Sequence, residues 1–195
     1  QQMRQRLAME AARIIAESGN QDYQSAKRKA AAHLGAPDTR NLPRNSEIEQ
    51  ALSEHHRLFH SESQPEKLRE LRKTATEAMN MLRDFQPRLV GMVLNGTAGK
   101  HSNIELHLFA DQPEQVSFFL IDRNIPFQEG DKRVKSTREE QSVYPTYRFM
   151  AGDIPVILIV FPLEGLRHPA LSAVDGKPMQ RANLEEVEVL LKLKY

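Results

Sequence analysis

The sequence predicts an α+β fold: a helical N-terminal module over residues 1–86, then a small mixed β-sheet with flanking helices over residues 87–195. Three observations carry this. Capping signals and apolar residues spaced three and four apart recur through the first 86 residues, with no convincing strand pattern. Short alternating or wholly apolar runs replace them from Leu89 onward. Pro87 stands at the change and stops the preceding helix.

The elements follow in order. Leu7, Ala11, Ile14 and Ile15 give Arg4–Ser18 one apolar face, and Gly19-Asn20 ends it. Asp22 caps a second helix to Leu34, closed by Gly35. Ser46 with Glu49 reads as a capping box for a third helix to about His60. Ser63 with Glu66 repeats the device for a fourth, to Phe85, whose face is Leu68, Leu71, Ala75, Met79 and Leu82. Leu89–Leu94 and Ile104–Phe109 read as neighbouring strands joined by Gly96–Ser102. Asp111 with Glu114 caps a short helix to Asn124. Gln128–Gln141 is polar and reads as an exposed segment. Val143–Met150 and Ile154–Phe161 form a hairpin through Ala151-Gly152-Asp153. Pro162–Ala182 is punctuated by Pro and Gly. Its Gly165–Pro169 and Ser172–Met179 stretches, with Arg181, resemble a segment of small bacterial proteins of this layout and add no chemistry. Asn183 with Glu186 caps a last helix, Leu184–Lys194.

Composition sets the outer limits. The chain has 195 residues, 39% of them hydrophobic and 27% charged, with a net charge of +1. Polyanion binding therefore has to come from local clusters rather than from a global field. There is no cysteine, which removes disulfides, thiolate metal sites and cysteine nucleophiles and fits a cytoplasmic protein. No run reaches the roughly 20 apolar residues of a membrane span, so no membrane partner is expected. The first residues alternate charge with apolar positions, unlike a signal peptide.

The richest stretch is Leu89–Ala110, where two apolar runs flank a Gly-rich turn. Asn103 and Glu105 lie two apart and so share a strand face, and His107 continues it. Two phosphate-site readings arise. Gly96-Thr97-Ala98-Gly99-Lys100 resembles the G-T-x-G-K loop of the Mur ligases, in which backbone amides and lysine hold phosphate. That loop needs a helix after it, whereas Ile104–Leu108 alternates like a strand, so the match reads as a decoy. Gly96-Thr97 followed by Ser102-Asn103-Ile104-Glu105-Leu106 resembles the signature of the nucleotidyltransferase superfamily. That family has Gly-Ser or Gly-Thr at the end of one strand and a carboxylate-x-carboxylate pair on the next.

The resemblance covers about Leu89–Phe161 and implies a nucleotidyltransferase-like core. It implies Glu105 and Asn103 as catalytic and metal-binding residues, with magnesium as the cofactor, and Gly96, Thr97, Lys100 and Ser102 as nucleotide contacts. In that family two carboxylates hold divalent ions that clamp a triphosphate. Asn103 stands here in place of the first aspartate. Pro155–Phe161, where a third carboxylate is expected, is wholly apolar, with Asp153 and Glu164 only flanking it.

Other clusters have two readings each. Lys27, Arg28 and Lys29, extended by Arg40 and Arg44, read as phosphate contacts to an RNA or DNA backbone or as a solvated helix face. His56 and His60 are spaced like a zinc pair, yet no Glu follows the first as in metalloproteases. Tyr144, Tyr147, Arg148 and Phe149 suit base stacking or plain strand packing, with Arg148 as a nucleic-acid contact. Lys132, Arg133, Lys135 and Arg138 are offset by nearby acids. The expected function is a nucleotidyltransferase-like protein that binds a nucleotide in a degenerate site and, if active, transfers it to an acceptor the sequence does not identify. The alternative is a non-catalytic descendant that binds nucleotide, RNA or a protein.

Overall fold

The computed structural model describes residues 1–59 and 62–193. It has an α+β fold with seven α-helices and one five-stranded mixed sheet among these residues. No strand forms before Arg88 among the described residues, and none of their helices is long and apolar enough to cross a membrane.

The N-terminal helices are α1 (Gln2–Ser18), α2 (Tyr23–His33), α3 (Asn45–Phe59) and α4 (Gln64–Met81). α1 buries Leu7, Ala11 and Ile15, and Gly19 ends it in the left-handed conformation. Asp22 caps α2 by accepting from the Ser25 amide at 2.9 Å. The box expected at Ser46 and Glu49 does not form. α3 starts after Pro43-Arg44, and it is Glu47 that accepts the Arg44 amide at 2.6 Å. Glu49 is thereby left for other partners. The partner proposed for His56, His60, lies outside the described residues. Ser63 precedes α4 without a side-chain cap. α4 stops at Met81, and a 3-10 turn, Arg83–Phe85, completes the run to Pro87. All five residues of its expected apolar face are buried.

Strand order is β1 (Arg88–Val90), β2 (Ile104–Phe109), β5 (Ile154–Phe161), β4 (Gln141–Ala151), β3 (Gln128–Lys135). β1 runs antiparallel to β2, which runs parallel to β5, while β5–β4 and β4–β3 are antiparallel. The two central runs are therefore neighbours, as expected, but the first strand is shorter. Gly91, at φ 75 and ψ −151, turns the chain where a side chain is strained. Met92–Asn95 then winds one helical turn, α5, closed by Gly96. The Gln128–Gln141 segment is also a correction. Most of it is edge strand β3, whose charged side chains suit an edge open to water. Helices α6 (Glu114–Asp122) and α7 (Leu184–Lys192) complete the fold, and α7 carries the expected Asn183–Glu186 capping box. Lys194, where that last helix was expected to end, lies outside the described residues.

One apolar core runs from α1 through α4 to β2, β5 and α7, through Leu71, Met79, Leu106, Leu158 and Val187. A second, on the other side of the sheet, gathers Phe109, Val134, Ile159, Phe161 and Ala170. The ladder between β4 and β5 ends at Thr146, while β3 and β4 stay paired beyond it to Lys135 and Gln141. This extension is a two-stranded ribbon, free to twist more than the sheet it leaves. It folds over the second core: Val134 joins that core, and the Tyr144 ring lies 4.4 Å from Phe161.

Two glycines with the same φ of +69° give a matched test. A Cβ on Gly19 would meet the His101 carbonyl oxygen at 1.4 Å, whereas one on Gly35 would meet nothing within 4 Å. Gly35→Ala is expected to cost about 1 kcal/mol, the ordinary left-handed penalty. Gly19→Ala also has to separate α1 from the β2 approach and is expected to cost at least roughly twice that in urea unfolding. Equal losses would contradict the close contact.

Candidate functional site

Alternation along β2 puts Glu105 and His107 on the face opposite Ile104, Leu106 and Leu108. Register then fixes a cross-strand row of Val90, Glu105, Ile157, Arg148 and Gln128. Directly paired residues share a face, so Arg148, exposed, belongs to the same face as Glu105. Asn103 immediately precedes the strand, and its amide donates to the Gly19 carbonyl at 3.4 Å. The helical module thus abuts the start of β2.

Around Glu105 the chain is close-packed and polar. A Cβ on Gly91 would lie 3.4 Å from Glu105 Oε2 and 3.7 Å from Gln21 Oε1. Gly91 is therefore the glycine that closes β1 beside the β2 carboxylate. On the open side, Lys132 reaches back from the ribbon, with Nζ 3.3 and 3.4 Å from the two Glu105 oxygens.

The residues expected to hold phosphate are placed differently. Gly96, Thr97 and Ala98 all donate their amides to the Met92 carbonyl, and the Gly99 amide donates to Ser102 Oγ at 2.8 Å. Their carbonyls are held from the other side. Gln64 donates to Gly96 and Ala98, and His56 Nε2 lies 2.7 Å from the Thr97 oxygen. The buried Arg72 donates to Val93 and Leu94. Thr97 and Ser102 are buried, and Lys100 is exposed on a turn. With the amides of Gly96–Gly99 engaged within the loop, this stretch offers no open backbone cradle.

Sequence reasoning missed a second acidic centre. Glu49 accepts from Tyr23 Oη at 2.8 Å, Asn95 Nδ2 at 3.0 Å and Thr97 Oγ1 at 3.3 Å. Gln21 donates to Tyr23 and, at 3.4 Å, to Glu49. Burial, then the charges of Glu49 and Glu105, push the Tyr23 phenol well above its ordinary range. These partners are far apart in sequence and of ordinary types, so no local motif announces them.

His107 is 3% exposed, with its ring 4.5 Å from Phe161. Burial, helped by the charges of Lys132 and Arg181, pushes it down to about 3, so it is neutral at pH 7. The basic residues of the helical module form a separate group. Arg4 makes a bidentate pair with Glu47, with its closest contact at 2.7 Å. Lys27 lies within electrostatic reach of both, while Arg28 and Lys29 are exposed.

The donor set around Glu105 does not fit a two-ion magnesium centre. Beside the Glu105 carboxylate stand the Gln21 carboxamide, across Gly91, and the Lys132 ammonium, and its in-register neighbour on β5 is the apolar Ile157. Asp153 and Glu164 are exposed, beyond opposite ends of β5. Hard divalent ions require oxygen-rich, anionic sites. No protein family, curated protein or solved structure matches the chain.

The state of His107 has a measurable consequence. The folded protein keeps the ring neutral, whereas the unfolded chain protonates it near its ordinary 6.5. The unfolded state thus binds more protons, and stability falls as pH drops from about 6.5 toward 3. The slope from this residue approaches roughly 1.4 kcal/mol per pH unit. Between pH 6.5 and 4.5, urea unfolding of His107→Leu is expected to lose that component. Parallel pH profiles for the two proteins would contradict it.

Proposed function

We propose that this chain is a nucleotide-binding protein on a nucleotidyltransferase-like core, and that it transfers nucleotide poorly or not at all. The cleft is the sheet face around Glu105, bounded by the helical module at Gln21 and by the β3–β4 ribbon at Lys132. The observation that carries the reading is the placement of Glu105. It stands on the strand that pairs antiparallel with β1, against the glycine that closes β1, on a face it shares with Arg148. Arg148 and Lys132 supply charge for phosphates, and Tyr144 lies near the ribbon end of the same face. The missing carboxylates argue against efficient two-ion catalysis.

A second reading has one observation in its favour. Arg4, Arg44 and Glu47, with Gln1, Asn41 and Ser46, line a separate pocket of about 460 Å³. Lys27 lies near its Arg4–Glu47 pair. Three cations around one carboxylate leave positive charge suited to an RNA phosphate.

Thermal unfolding with each NTP, in magnesium and in EDTA, tests the first reading. A ligand at a hundredfold excess over Kd stabilises by about 2.7 kcal/mol, or roughly 5–10 °C in Tm at this chain length. The expected result is such a shift for at least one NTP, weakened by Arg148→Ala. Labelled NTPs incubated with pooled RNA and protein acceptors should show little transfer. Absence of any shift overturns nucleotide binding, and robust turnover abolished by Glu105→Gln overturns poor catalysis.

A further inference from the structure

We infer that Lys132 is the resident cation of this cleft: its ammonium takes the place of a divalent ion on Glu105, and the cleft holds polyphosphate without metal. The inference rests on the nucleotide-binding reading above and specifies how that site takes its ligand.

The argument begins with the ribbon. β3 and β4 continue past β5 as a pair, and Lys132 lies in that extension opposite Tyr144. Three anchors hold the extension over the sheet face. Val134 is buried in the second core, the Tyr144 ring packs on Phe161, and the Leu171 amide donates to the Lys135 carbonyl at 2.8 Å. With the strand fixed on both sides of position 132, the lysine reaches the Glu105 carboxylate across the sheet and contacts both of its oxygens.

Charge decides what else can enter. Glu105 is 16% exposed and Lys132 44% exposed at the side chain, so the carboxylate is covered while the ammonium keeps open faces. An ammonium has three donors and can serve Glu105 and a phosphate oxygen together. Arg148 adds a second cation on the same face, two strands from Glu105 and separated from it by Ile157. A metal approaching Glu105 would meet a fixed positive charge a few ångströms away, which disfavours binding even in a high effective dielectric. A phosphate chain meets two cations and one already compensated carboxylate. The cleft therefore selects the free anion over its magnesium complex.

Manganese titration of the full chain, followed by electron paramagnetic resonance, reads the cation site without any nucleotide. Wild type is expected to bind manganese no more tightly than Glu105→Gln. Lys132→Gln uncovers Glu105, with Glu49 on the far side of Tyr23, and is expected to gain at least tenfold in manganese affinity. Lys132→Gln/Glu105→Gln should lose that gain. Glu105-dependent binding in wild type, or no gain in Lys132→Gln, overturns Lys132 as the resident cation.

Tripolyphosphate titration by calorimetry reads the anion. Wild-type affinity should be equal or higher in EDTA than in magnesium. It should fall at least tenfold in Lys132→Met and be largely restored in Lys132→Arg. Binding that requires magnesium overturns the inference and leaves the nucleotide reading standing. If no polyphosphate or NTP binds, the nucleotide reading and metal-free polyphosphate binding both fall, and the manganese series alone decides the cation's role. Circular dichroism of each variant confirms the fold.

Discussion

The structure depends on β2 being buried on both faces. Ile104, Leu106 and Leu108 pack into the core shared with the helices, while His107 and Phe109 face the second core. A strand covered on both sides cannot slip by one residue, because the slip exchanges its entire set of side chains between two different environments. Its neighbours are fixed in turn: β1 antiparallel on one edge and β5 parallel on the other. Glu105 is the half-buried exception in this strand, where the sheet face opens. The candidate site is thus a break in an otherwise buried surface, positioned by the most constrained element of the fold.

That origin explains the division of labour around the cleft. The loop between β1 and β2 satisfies its amides internally and gives its carbonyls to side chains of α3 and α4. Such a loop acts as a brace. The charged groups on the open face come instead from strands, chiefly Lys132 on β3 and Arg148 on β4. The two carboxylates at the joint have different roles. Glu49 is surrounded by donors that tie the helices to the loop, whereas Glu105 carries one counter-ion from the ribbon.

The sequence was most readable where the physics is local. Gly19, Asp22 and the Asn183–Glu186 box marked helix ends correctly because a cap involves residues within one turn. The buried face of α4 was visible from its three- and four-residue spacing. The strand at Gln128–Lys135 was hidden because edge strands tolerate charge and alternation there carries little apolar signal. Leu89–Leu94 read as one strand because an apolar run of that length does not distinguish a strand from a strand plus a helical turn. Gly91 was the residue that divided it. At the site, the strand alternation placed Glu105 and His107 on one face from sequence alone. Glu49 and Lys132 were out of reach, since both depend on long-range packing.

The brace at Val93–Ala98 also determines which side of the candidate site is held most firmly. Five of its carbonyls, at residues 93, 94, 96, 97 and 98, are held by His56, Gln64 and Arg72. Swinging the helical module away from the sheet would strip these bonds together, and buried carbonyls without donors are costly. That wall is effectively welded. The opposite wall is a two-stranded ribbon that leaves the sheet at Thr146, just beyond Pro145, a residue with no amide hydrogen to add to the ladder. The ribbon is held instead by Val134 in the second core, the Tyr144 ring on Phe161 and one hydrogen bond from the Leu171 amide to the Lys135 carbonyl. Lys132, opposite Tyr144 and one position from Pro145, sits at the base of that ribbon, so the charge beside Glu105 is held in place by the same ladder that joins the ribbon to the sheet.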